Sequence, residues 1–406
     1  MHTRSLTKLA AIGVVGTLAL AGCGGSDKKD EGSGGLSGGG SSGGTKSSAT
    51  YTIAFEGPLS GDNAQLGINE VNGAQLAVDQ ANAKSDTGFK VKLVKADDVG
   101  DPAKAPAAAA QVIQNSNVMG VVGPSFSGAT QAVGGKYGDA GIAIVNPSAS
   151  NGTLQDQKFK TWHRVMPNDN AEGPAAADWL AKQFKKVLVI SDKSAYGEGV
   201  ASAVTKELKA KGVTVVSQGA DATSTKDYGP VAQTVVQSGA PAMFYAGYDA
   251  QGSQLAKALK AANYKGLRMS GNGVKSSVFT DGAKAAGDGY YFSCGCADAL
   301  TNPDAKSFVA AYKAKFNTDP STYSPEAYDA ANILIEAIKT AKQGGSVTRQ
   351  SVNDAVNKAD YQGVTAKISF AKNGDLPPGE GVVNLYVQKA GKIVSLGDIS
   401  KAPAAK

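Results

Sequence analysis

The residues best placed to do chemistry are small hydroxyls that close two short apolar runs. Val118-Met119-Gly120-Val121-Val122 opens into GPSFSGAT, which offers Ser127, Gly128 and Thr130. Ile142-Ala143-Ile144-Val145 opens into NPSASNGT, which offers Ser148, Ala149 and Ser150. In open parallel sheets, ligands bind beyond the carboxyl ends of strands. Hydroxyls and free backbone N–H groups at helix N-termini suit an anion there. Neither loop holds Lys or Arg, so a carboxylate fits better than a phosphate. Helix capping accounts for one such loop; two on adjacent strands favour a site. Further along, Tyr196 and Tyr248 each follow an apolar run, and amphipathic rings suit the wall of a closing cleft.

Catalytic chemistry has no comparable foothold. The sequence holds no G-x-S-x-G, P-loop or H-E-x-x-H pattern. Its only histidines are His2 and His163. His163 lies in WHRV, which reads as the end of a strand leaving a first lobe, and is expected to be packed. No metal or other cofactor is implied. The acidic run Asp97-Asp98…Asp101 reads as a helix start, with Asp101 as N-cap before Pro102, rather than as a calcium loop. Cys294 and Cys296 form C-x-C, either bridged or free.

The elements that must position these loops alternate regularly. From Tyr51, strand, small-residue loop and helix recur, with helices expected near 69–82, 103–114 and up to Tyr137. After RVMPNDN the alternation restarts, with helices near 199–211, 228–237 and 253–263. Further helices are expected near 302–316, 325–340 and 348–358, then a pair of strands, 366–370 and 382–388, with the turn NGDLPPG between them. This is an α/β pattern with parallel sheets. Two such runs suggest two lobes.

The first residues read as an export leader. Arg4 and Lys8 precede the apolar run Leu9–Leu20, which is too short to span a bilayer comfortably. Leu20-Ala21-Gly22-Cys23 resembles a lipobox, making 1–22 a signal peptide and Cys23 the lipidated residue. Residues 23–49 then form a Gly/Ser-rich tether that cannot bury enough surface to fold. Loss of Arg4 and Lys8 takes the formal charge from +6 to +4. This is mild and scattered, so no nucleic-acid partner is expected.

Taken in order, GPLSG…AQLG…NGAQLAVDQAN, DDVGDP, VVGPSFSGATQA, IVNPSAS, KSAYGEG, FYAGYDAQG and NGV resemble the leucine/isoleucine/valine-binding protein family. These are the amino-acid receptors of ABC importers. The resemblance covers about Ile53 to Gln388. It implies a type I periplasmic binding protein fold, two Rossmann-like lobes joined by three crossovers near 166–170, 293–298 and 370–375. The lobe segments expected are 50–167 with 296–370, and 168–295 with 371–400. The resemblance implies that Ser127 holds a ligand carboxylate, that Ser148, Ala149 and Ser150 contact carboxylate and amine, and that Tyr196 and Tyr248 form a lid. The family's ammonium-pairing acid falls on Asn272, an aromatic falls on Leu66, and a family disulfide falls on Gly100 and Phe126. Glu56 and Asp249 could supply the missing charge but read first as solvated rim residues. The function implied is a lipid-anchored, extracytoplasmic, monomeric solute receptor. It would bind an amino acid, branched-chain by default, or a related small carboxylate, and deliver it to an ABC permease. The alternatives are a ligand sensor of the same fold, or a binder of an amide or non-amino carboxylate.

Overall fold

The computed structural model describes residues 49–84 and 87–405. The expected leader and lipidated Cys23 lie outside the described residues. Strands β1 (Thr50–Gly57), β2 (Lys90–Asp97), β3 (Val118–Val122), β4 (Ala143–Asn146) and β5 (Trp162–Arg164) pair in parallel, in the order β2-β1-β3-β4-β5. Helices α1 (Ala64–Ala83), α2 (Ala105–Gln114) and α3 (Ser127–Asp139) connect them. All five residues of β3 are buried, because helices cover both faces of the sheet. Successive side chains of β1 serve opposite faces: Ile53 and Phe55 join one core, and Ala54 joins the other, against α2 and α3.

The chain then enters a second lobe. It contributes α4 (Asp169–Ala181), β6 (Lys186–Ser191), α5 (Ala195–Ala210), β7 (Thr214–Gly219), α6 (Gly229–Gln237), β8 (Ala242–Ala246), α7 (Asp249–Ala261), β9 (Leu267–Ser270), α8 (Ser277–Ala283) and β10 (Tyr290–Cys294). A return to lobe one supplies α9 (Lys306–Phe316), α10 (Ser324–Gln343), α11 (Arg349–Val356), and the two-stranded sheet of β11 (Asp360–Gln362) with β12 (Lys367–Ser369). A last crossing brings β13 (Asn384–Lys389) and β14 (Lys392–Asp398), which complete a seven-stranded sheet in the order β14-β13-β10-β9-β8-β6-β7. On α10, Ala327, Ala330, Ala331, Leu334, Ile338 and Ala341 recur at helical spacing and fill the lobe-one core. Helix α1 lies close along it; a side chain at Gly73 would collide with the Ser324 carbonyl.

Several expectations need correction. The two strands flanking NGDLPPG do not pair with each other. β12 pairs with β11, while β13 runs antiparallel to β10 and β14. The turn-like segment between them is a crossover. Asp101 is not the residue next to the first helical position: α2 begins at Ala105 after Lys104. Its side chain instead accepts from Ala103 N at 2.8 Å, in a turn ahead of the helix. Helix α4 was not expected; Gly173 and Pro174 interrupt its pattern, but the Asn168 side chain caps it by accepting from Asn170 N at 2.9 Å. His163 is packed, bonded to Ile144 O at 3.1 Å and Asn357 Oδ1 at 2.9 Å. Cys294 and Cys296 are joined by a disulfide at the start of the second crossover.

The first and third crossovers are locked by one buried cation. Arg164 donates to Asp375 through Nε at 3.1 Å and Nη2 at 2.7 Å. Its remaining donors reach Ala149 O at 2.8 Å, Asn151 O at 3.0 Å and Gln155 Oε1 at 3.1 Å. All five guanidinium N–H groups are thus used. Asn168 Nδ2 and Trp162 Nε1 also donate to Asp375, at 2.8 and 3.2 Å. Removing one partner strands a buried charge, which costs about 3–5 kcal/mol. Arg164→Met is therefore expected to lower unfolding free energy by about that much in urea titrations.

Candidate functional site

The two hydroxyl loops meet where the lobes meet. Asn151 N donates to Ser127 Oγ at 3.2 Å, so the loop after β4 folds onto the first turn of α3. Ser127 and Ser150 are each 1 % exposed. Thr130 N is bonded to Phe126 O at 2.9 Å, which leaves the N–H groups of Ser127, Gly128 and Ala129 ahead of the first helical bond. The second loop is less open than its composition implies. Asn146 Oδ1 already accepts from Ser148 N at 3.0 Å and Ala149 N at 2.7 Å. The Ser148 hydroxyl donates to Ser125 O at 2.8 Å, and the Thr130 hydroxyl to Pro124 O at 2.8 Å. Thr130 is thereby committed to the interior of lobe one.

Lobe two closes on this surface with aromatic rings. Tyr248 stacks on Phe126 of lobe one at 4.3 Å between centroids, and Tyr196 leans on Tyr248 at 5.2 Å. The Tyr196 hydroxyl accepts from Gly273 N at 3.1 Å, fixing the ring to the loop after β9. Leu66, Phe126, Met166 and Tyr323 form one apolar cluster that Tyr248 packs against. The positions expected from the family to carry a disulfide, Gly100 and Phe126, are neighbours: a Cβ on Gly100 would stand 2.8 Å from the Phe126 ring. Two polar ties cross the same seam. Asn151 Nδ2 donates to Ala195 O at 2.5 Å, and Asn63 Nδ2 to Asp249 Oδ1 at 2.6 Å.

Asn272 sits in this seam with a carboxylate behind it. Its backbone N and Nδ2 donate to Glu172 at 3.0 and 2.7 Å, and its Nδ2 lies 3.4 Å from Ser150 Oγ. Glu172 also accepts from Ser293 Oγ at 2.9 Å and Gly295 N at 3.1 Å. Burial raises its pKa, and these donors oppose the shift. With Nδ2 spent, Asn272 keeps only Oδ1 for a guest.

Two acids expected at a solvated rim are buried instead, and Glu172, Glu70 and Asp169 join them. Glu56 is fully buried and accepts from the Tyr137 hydroxyl, and burial pushes its pKa to about 8. Asp249 is buried too, holding Ser276 Oγ at 2.6 Å besides Asn63. Neither is a solvated rim residue. Glu70, on α1, accepts from Ser125 Oγ at 2.7 Å, while its other oxygen has no partner. Asp169 stands out further. It opens α4, its N–H donates to Ser150 O at 2.8 Å, and it is 1 % exposed. Neither of its carboxylate oxygens has a hydrogen-bond partner. Burial first, then the neighbouring Glu172, push its pKa to about 8, against the opposing effects of the nearby Ser150 hydroxyl and the Arg164 guanidinium. An Asp directly after an Asn cap was its one visible signal; burial was not visible.

A periplasmic binding protein family model matches residues 50–391. The chain belongs to the leucine/isoleucine/valine-binding periplasmic proteins. It is 31 % identical over 352 residues to the Leu/Ile/Val-binding protein BraC3 of Rhizobium johnstonii, covering 86 % of this chain and 94 % of that protein. It is 30 % identical over 332 residues to the leucine-, isoleucine-, valine-, threonine- and alanine-binding protein of Pseudomonas aeruginosa, covering 80 % of this chain and 87 % of that one. The branched-chain amino acid substrate-binding protein LivJ of Streptococcus pneumoniae, solved with isoleucine, superposes with a TM-score of 0.77 at 25 % identity, covering 85 % of this chain and 99 % of that one. The fold is that of type I periplasmic binding proteins, and the protein is a substrate-binding protein, not an enzyme.

The buried Asp169 carries a stability consequence with a definite sign. Its folded pKa, about 8, exceeds the ordinary 3.8 of an aspartate. The stability it contributes is therefore complete below that ordinary value and is lost as pH rises toward 8. Asp169→Asn removes this loss. The ligand-free variant is expected to exceed the wild type in stability by more than about 1 kcal/mol at pH 8, and by little at pH 4, in denaturant titrations at both pH values.

Proposed function

We propose that the protein captures a free α-amino acid, branched-chain by default, between its lobes, and hands it to the permease of an ABC importer. The Rhizobium and Pseudomonas relatives named above support the amino-acid class. The observation that carries the reading is Asp169. A carboxylate buried beside the Ser150 loop with neither oxygen hydrogen-bonded, and only the field of Arg164 to favour its charge, is costly to ionise unless a further cation meets it. The α-ammonium of an amino acid supplies that cation, and the helix dipole at the start of α4 favours the charged acid. Asn272, in the place of the family's acid, would add an acceptor through Oδ1.

The carboxylate end falls to lobe one in this scheme. Ser127, the free N–H groups that follow it, and Ser150 would grip it. Ser148 and Ala149 act at one remove, since Asn146 holds their N–H groups. Tyr196 and Tyr248 would shut over the ligand, with Phe126 as the lobe-one face of the lid. Thr130 shapes the floor through Pro124 and does not reach the ligand. Ligand contacts to both lobes bias the closed arrangement. Lobes composed of 50–167 with 296–370, and of 168–295 with 371–400, would turn about the crossovers. A lipid on Cys23 would hold the receptor at the outer face of the membrane.

Calorimetry with leucine and with 4-methylpentanoate, its deaminated counterpart, tests the amino-acid reading. Wild type is expected to prefer leucine strongly. Asp169→Asn should weaken leucine by about 1.5–3 kcal/mol, roughly 10- to 150-fold, and leave 4-methylpentanoate unchanged. Equal binding of both compounds by the wild type would instead identify a receptor for non-amino carboxylates. Fractionation of cells expressing Cys23→Ser should find the protein in the soluble fraction; continued membrane association would contradict the anchor.

A further inference from the structure

Outside the cleft, the molecule buries one ammonium whose fixed acceptors fall short of its donors. Lys275 lies just past the loop that carries Asn272 and is 9 % exposed. Its Nζ donates to Thr322 Oγ1 at 3.2 Å and stands 4.3 Å from the centre of the Tyr386 ring. An ammonium has three N–H donors, and a buried charge normally has a paired counter-charge. No carboxylate among the described residues forms an ion pair with this one. Asp298 and Glu326 act on it only through their fields, against a pKa lowered by burial. Glu326 accepts from Ala297 N at 2.6 Å, and its other oxygen has no partner. The Tyr386 hydroxyl is likewise buried without one.

Lys275, Thr322, Tyr386 and Asp298 wall a cavity of about 460 Å³ wedged between the lobes. Lobe two supplies Lys275, Ser277 and Tyr386; the lobe-one side supplies Ser321 and Thr322. The Thr322 hydroxyl is spent on Lys275 O at 2.5 Å. Among the described residues, the exposed hydroxyls of Ser277 and Ser321 have no hydrogen-bond partner. Of the acids at the rim, Asp319 is neutralised by Lys313 at 2.9 Å, and Asp298 accepts from Thr301 Oγ1 at 2.7 Å. Lys392 adds a second cation to the lining.

We propose that this seam is a second binding site, for a small oxyanion of the carboxylate or phosphate type. Lys275 supplies its counter-charge, and the hydroxyls of Ser277, Ser321 and Tyr386 supply further donors. The site is separate from the amino-acid cleft and does not depend on that assignment. Because its walls come from both lobes, the anion binds the closed arrangement. By linkage it raises the affinity of whatever closes the cleft, and is itself bound more tightly when the cleft is filled.

The test is calorimetric titration of the full chain with inorganic phosphate and with acetate, in an oxyanion-free zwitterionic buffer. Wild type is expected to show saturable binding, and the tighter of the two anions identifies the class. Lys275→Met and Ser321→Asp should each weaken it by about tenfold or more. Ser321 is exposed, so its substitution reports on the site even where Lys275→Met fails to fold. No saturable heat with either anion, or equal binding by wild type and variants, would overturn the proposal. With phosphate present, leucine affinity should rise in the wild type and stay constant in Lys275→Met; no rise in the wild type refutes the coupling. Failure of leucine to bind at all would refute the cleft assignment, while the phosphate titration would still decide this one.

Discussion

The molecule depends on Arg164. This one side chain, buried between the lobes, spends all its donors on three pieces of chain: the second hydroxyl loop through Ala149 and Asn151, Gln155, and the third crossover through Asp375. The site and the hinge are therefore one hydrogen-bonded object. A shift of the Ser150 loop is passed through Arg164 to the third crossover.

Glu172 plays the matching part on the other lobe. It collects donors from Asn272, Ser293 and Gly295, which lie on the loop after β9, on β10 and in the second crossover. The lid ring of Tyr196 joins the same assembly through Gly273. Beside this satisfied acid sits the unsatisfied Asp169, whose charge is opposed by Glu172. A saturated carboxylate fixes geometry. One without hydrogen-bond donors resists ionisation. The two acids stand three positions apart on one helix, one satisfied by four donors and the other by none.

The alternation of strand, loop and helix was readable because it repeats locally, as were the hydroxyl loops that end β3 and β4. Their adjacency followed from the parallel order of the sheet. What escaped was decided at a distance. Glu172 meets Asn272 across 100 positions of chain, and Asn63 meets Asp249 across 186. Glu56 and Asp249 look like surface acids in their local context, yet helices from elsewhere bury them. The N–H groups of Ser148 and Ala149 looked available because the sequence does not show that the Asn146 side chain turns back on its own loop. Helix α4 was hidden by Gly173 and Pro174, which interrupt a pattern that tertiary packing nonetheless stabilises.

The interleaving of the two lobes along the chain also governs how the molecule is born. Helix α10, which fills the lobe-one core, follows the last parallel strand of lobe two. The lobe-two sheet in turn waits for β13 and β14, and β14 ends at Asp398 of 406 residues. The lobe-one core is completed only by α10, α11 and β12, and the lobe-two core only by β13. Contacts so distant in sequence form slowly. Neither lobe can therefore be finished by folding one continuous stretch of chain: each borrows its closing elements from beyond the other.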